Sequence, residues 1–92
     1  MIRKKLTTTI GLHARPAAIF VKKARRYGSR IRLEKDGGDV VDGKSIMGIL
    51  TLAAGPGSIV YLEVDGPDEE ECFEELKALL VDGLDGEDYS FV

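Results

Sequence analysis

One cysteine and one histidine are all that this 92-residue chain contains of those two residue types, and no apolar run approaches the ~20 residues that a membrane helix needs. A lone thiol forms no internal disulfide, and with a single imidazole there is no cluster of soft ligands for a structural zinc site. Cys72 is therefore expected as a small apolar residue buried on a helix. The start, Met1 followed by Ile-Arg-Lys-Lys and then threonines, lacks the hydrophobic centre of a secretion signal, so a cytoplasmic home without membrane insertion is expected. No Walker-type glycine loop is present, and no motif places a serine or cysteine nucleophile beside the histidine. A hydrolase or transferase with His13 as general base is thereby disfavoured.

Acidic residues are also missing from the first third. Met1 to Leu33 hold ten Lys or Arg and no Asp or Glu, whereas the remainder holds sixteen acids and three bases. The net charge of -3 conceals this polarity. A basic segment suits nucleic acid, acidic protein surfaces or phosphate. Aromatic residues are not interleaved with these bases, so a nucleic-acid module is set aside in favour of protein partners.

What is present reads as strand, helix, strand, strand, helix, strand, helix, with no repeat and no low-complexity segment. Ile2 to Thr8 alternates as a strand, with Ile2 and Leu6 inward. From Ala14, the residues Ala17, Phe20, Val21, Ala24 and Tyr27 recur at helical spacing, with Pro16 in the first turn and Gly28 as a left-handed stop. Arg30 to Lys35 alternates, Asp36-Gly37-Gly38-Asp39 has hairpin-turn chemistry, and Val40-Val41 forms the return strand. A short helix runs from Ser45 towards Gly55-Pro56-Gly57, with Ile49, Leu50 and Leu52 assigned to the core. Ser58 to Val64 is a fourth strand. Asp68 then caps a third helix, with Glu71 as its capping-box partner, and the stripe Cys72, Phe73, Leu76, Leu79 and Leu80 faces inward until Gly83. Strands with one wet face imply an α+β, open-faced sandwich: a four-stranded, mainly antiparallel sheet with three helices on one face, and the fourth strand between the first and second. Residues 1–83 are expected to form one domain, followed by an acidic, loosely held tail over 84–92.

Gly11-Leu-His-Ala-Arg-Pro-Ala-Ala18 is the stretch that carries chemistry. His13 immediately precedes a helix start, where backbone N–H groups and the positive end of the dipole favour an anion. Arg15 adds a guanidinium able to donate two hydrogen bonds to a phosphoryl group. A plain helix cap beside a solvated arginine is the commoner meaning of these residue types at a helix start. Farther on, Ser45 fits an N-cap, and Ile46 and Met47 fit an exposed apolar contact patch, methionine being adaptable on surfaces that meet several partners.

Gly-Leu-His-Ala-Arg-Pro-Ala resembles the active-site motif of HPr, the histidine-containing phosphocarrier family of the bacterial phosphoenolpyruvate-dependent sugar phosphotransferase system. Gly43-Lys44-Ser45-Ile46-Met47-Gly48 resembles the regulatory-serine segment of the same family, and the element order agrees up to about Gly83. The resemblance implies that His13 takes phosphate from phosphorylated enzyme I and passes it to enzyme II A components, with Arg15 stabilising the group. It implies regulatory phosphorylation at Ser45 by HPr kinase/phosphorylase, read by a catabolite control regulator. Pro16, Ala17, Ile46 and Met47 are the docking residues by the same reasoning. The expected protein is a monomeric carrier that needs no cofactor and turns over no small molecule. A regulatory or nitrogen-related member of the same fold, without sugar transport, is the alternative.

Overall fold

The computed structural model describes residues 1–83. The elements are β1 (Ile2–Thr7), α1 (Ala14–Ala24), β2 (Arg30–Lys35), β3 (Val40–Asp42), α2 (Ile46–Leu52), β4 (Ile59–Asp65) and α3 (Glu69–Asp82). Every strand pair is antiparallel and the sheet order is β1-β4-β2-β3, so β4 lies between β1 and β2 as the crossover argument requires. The tail over 84–92 lies outside the described residues.

Alternation fixes which face of the sheet is covered. Val60, Leu62 and Val64 of β4 and Ile31 and Leu33 of β2 are buried beneath the helices, whereas Tyr61, Glu63, Arg30 and Arg32 point the other way. That open face is laced with charge: Arg3 contacts Glu34 at 3.2 Å, and its guanidinium stands 4.7 Å from the centre of the Tyr61 ring. On the covered face Phe20, Val21 and Ala24 from α1 meet Phe73, Leu76 and Leu80 from α3 in one core, and Cys72 is fully buried there. Burial, with Asp68 close by, pushes the Cys72 thiol up to about 11, which keeps it protonated and unreactive. Gly43 has no room for a side chain, because a Cβ there would stand 2.3 Å from Ile31 Cγ2.

Four local expectations are corrected. The first helix ends at Ala24 and does not reach Tyr27, because its last turn tightens into i→i−3 bonds, Arg26 N–H to Lys23 O and Tyr27 N–H to Ala24 O. Gly28 is consequently no left-handed stop; its N–H donates to Asp68 Oδ2 at 2.9 Å. Asp68 does not cap α3 with its side chain, which is turned across to the α1–β2 connection, and the acid that folds back is Glu69, accepting from the Gly66 N–H at 3.1 Å. Leu50 is not a core residue but 36% exposed, since α2 buries only Ile49 and Leu52.

The loop between β1 and α1 is anchored at both ends. Buried Thr8 donates its hydroxyl to the Ile10 and Leu80 carbonyls, and Thr9 donates its N–H to Leu80 O and its hydroxyl to Val81 O. Carbonyls in the last turn of α3 thus gain the partners that a helix end otherwise lacks. On the other side Gly57 N–H bonds Thr8 O at 2.7 Å, and Leu12 N–H bonds Ala54 O at 2.8 Å.

Candidate functional site

His13 is the N-cap of α1, with extended backbone at φ −100° and ψ −168°, and its carbonyl accepts the first helical bond from Ala17 N–H at 2.8 Å. Its imidazole makes no cap hydrogen bond, and the residue is exposed. The cap therefore uses the backbone of His13 and leaves the ring available. The N–H groups of Ala14 and Arg15 precede the first helical bond, and the first turn holds no acid to oppose the dipole. Pro16, third in the helix, sits where an N–H is not needed. Arg15 is exposed in the same first turn of α1, two residues after His13.

The ring is placed by close approach. A Cβ on Gly11 would lie 3.1 Å from His13 Cδ2 and 3.2 Å from Pro56 Cδ, so glycine lets the loop, the imidazole and the α2–β4 connection meet. A cleft of about 310 Å³ opens beside it, lined by Leu50, Ala53 and Pro56 as well as by Gly11, Leu12 and His13. The connection after α2 belongs to this site, although its Gly-Pro-Gly reads from sequence only as a break. Nothing in the pattern of single residues signals that the break abuts the histidine.

Ser45 is the N-cap of α2, where its Oγ accepts from Gly48 N–H at 3.1 Å. The preceding Lys44 carbonyl takes Arg25 Nε at 3.1 Å, and Lys44 Nζ donates to Tyr27 O at 2.7 Å, tying the serine segment to the end of α1. Ile46 and Met47 are exposed, Met47 by 67%, and a second groove of about 340 Å³ runs between Ile46 and Ala18, Val21, Lys22 and Arg25 of α1. Pro16 and Ala17, expected at the docking surface, are buried, Ala17 completely, on the inward face of α1. Exposed Leu50 adds apolar surface to the histidine cleft.

Among the described residues no group of three or more His, Cys, Asp or Glu is placed to hold a metal, and no helix is long and apolar enough to cross a membrane.

The family model described as "PTS HPr component phosphorylation site" matches residues 3–82. Phosphocarrier protein HPr of Cupriavidus necator is 48% identical over 71 residues, covering 77% of this chain and 79% of that protein. The HPr-like protein Crh of Halalkalibacterium halodurans is 46% identical over 82 residues, covering 87% and 96%. Among solved structures, phosphocarrier protein HPr of Bacillus anthracis superposes with a TM-score of 0.81 at 44% identity, covering 86% of this chain and 95% of that one. Crh of Bacillus subtilis, described as a dimer with a swapped domain, gives a TM-score of 0.68 at 47% identity, covering 85% and 86%. An exposed histidine ring left uncommitted at an acid-free helix start, an open-faced sandwich and this breadth of similarity have one meaning: the chain belongs to the HPr family, the phosphocarrier proteins of the phosphotransferase system.

Proposed function

We propose that His13 is the phosphoryl acceptor of this chain, taking the group from phosphorylated enzyme I and handing it to enzyme II A components. The observation that carries this reading is the exposed imidazole at the N-terminus of α1, free of any cap hydrogen bond. A ring nitrogen supplies the electron pair of a new N–P bond while the donor's bond to phosphorus breaks and its electron pair stays with the donor. The phosphoryl oxygens then face the helix end, worth about 0.3–2 kcal/mol, and the fork of Arg15 stabilises charge that the dipole alone cannot hold. Transfer onward is the same step in reverse, so the chain is a stoichiometric carrier and not an enzyme.

Ser45 is proposed as the regulatory site, modified by HPr kinase/phosphorylase and read by a catabolite control regulator. A phosphate of about −1.5 to −2 charge is compatible with an N-cap but repels an acidic partner approaching Ile46, Met47 and Leu50, which we assign as the docking patch. The similarity to Crh at 46% identity favours, as a second reading, a regulatory phosphoprotein without sugar transport. The carrier is taken to act as a monomer in the cytoplasm.

Incubation with phosphoenolpyruvate and enzyme I, followed by intact mass, tests the assignment. One acid-labile phosphate is expected on the native chain and none on His13→Ala; a chain that takes up no phosphate sinks the carrier reading. Failure to pass the group to any enzyme II A component, with His13 phosphorylated, selects the regulatory reading. A single species at monomer mass in light scattering is expected, and a dimer overturns the monomer assignment.

A further inference from the structure

We propose that Ala53 is a positioning residue for phosphoryl transfer at His13, holding one wall of the histidine cleft through a left-handed backbone that Lys35 braces. This role rests on His13 being the acceptor. Ala53 has φ 54° and ψ 40°, and among the described residues no other non-glycine has positive φ. A Cβ is disfavoured there, and at Gly37, Gly57, Gly66 and Gly83 the chain meets positive φ with glycine. At position 53 a methyl group is kept despite its cost, at a site that lines the cleft with His13. Strain of this kind persists only where the surroundings over-determine it.

Two contacts do so here. The Ala53 carbonyl accepts Lys35 Nζ at 3.3 Å, a cation reaching from the end of β2 to the C-terminal end of α2. The next carbonyl, Ala54 O, accepts the Leu12 N–H at 2.8 Å, one residue before His13. The dihedrals at 53 therefore aim the Ala54 carbonyl, that bond fixes Leu12, and Leu12 fixes the origin of the imidazole. Alanine has fewer backbone states than glycine, so it keeps this wall in one conformation before a phosphoryl donor arrives.

The test compares the native chain with Ala53→Gly, Lys35→Met, Lys35→Arg and the Ala53→Gly/Lys35→Met pair. Melting temperature, hydrogen exchange at the Leu12 amide and the rate of phosphorylation by phospho-enzyme I are measured on each. Ala53→Gly is expected to melt no lower than the native chain, yet to exchange Leu12 faster and to take phosphate about 3- to 10-fold more slowly. Lys35→Met slows phosphorylation in the same direction, Lys35→Arg restores it, and the effect of Lys35→Met shrinks in the glycine background. Native Leu12 exchange and native rate in Ala53→Gly overturn the role, as does a rate loss that merely follows a lower melting temperature. A native chain that takes no phosphate overturns the His13 assignment and this role together, and the Leu12 exchange distinguishes that result from failure of the brace alone.

Discussion

Asp68 accepts three hydrogen bonds from the α1–β2 connection: Ser29 Oγ at 2.5 Å, Ser29 N–H at 3.0 Å and Gly28 N–H at 2.9 Å. These donors, the Ser29 hydroxyl foremost, hold its carboxyl below the usual aspartate range. A depressed folded value contributes stability that is present above the unfolded pKa and lost as pH falls through the folded one. Asp68→Asn is therefore expected to lower the melting temperature at neutral pH and to flatten its fall below about pH 4, measured by circular dichroism from pH 2 to 7. At Ser45 the lost cap bond to Gly48 should cost Ser45→Ala about 1 kcal/mol in urea denaturation. The same variant should take no acid-stable phosphate from the kinase; a phosphate that persists refutes the site. Ser45 was legible because capping is local. The partner of Asp68 was not, since Ser29 is 39 residues away in sequence and becomes its neighbour only by folding.

Between elements, α1 and α3 are joined at Glu75. Its carboxylate meets Lys23 Nζ at 3.2 Å and Arg26 at 3.3 Å, and it accepts the Tyr27 hydroxyl. Burial alone would raise the Glu75 pKa, but the Tyr27 hydroxyl and the Lys23 ammonium outweigh it, and the net direction is down. The same hydrogen bond, with burial second, pushes Tyr27 up to about 12. A raised folded value gives stability that is complete below the unfolded pKa, near 10 for tyrosine, and lost as pH rises towards about 12. Titration at 295 nm should show one late tyrosine that disappears in Tyr27→Phe; a full titration by pH 10.5 would contradict the contact. Glu75→Gln keeps an acceptor but removes the charge, and an expected loss of about 1 kcal/mol in urea reflects pairs only partly withdrawn from water. Helical spacing placed Tyr27 on the inward stripe correctly. It overran the helix because side-chain periodicity carries no information about where the backbone tightens.

Across the whole molecule, charge is sorted by sequence and then by fold. The basic first third supplies Lys22 and Arg25 beside the exposed Ile46, while the acids of α3 meet several of the remaining bases within the chain. Under the proposed function, an acidic partner would be drawn to the groove beside Ile46. The rate of phosphorylation by enzyme I is expected to fall about 10-fold between low salt and 0.5 M salt in stopped-flow measurements, and a salt-independent rate would remove steering from the mechanism.

By itself the sequence determined the seven elements, the covered face of the sheet and the positions of His13, Arg15 and Ser45, because period, turn chemistry and helix ends are properties of neighbouring residues. The HPr-family reading followed from the motifs and agrees with the match over residues 3–82. Only the tertiary structure decided that Pro16 packs inward, that Leu50 faces out and that the 53–56 connection walls the histidine cleft. Those outcomes depend on how far α2 is rotated against α1 and on which loop the sheet order sets beside another, and both are fixed by packing between segments distant in the chain.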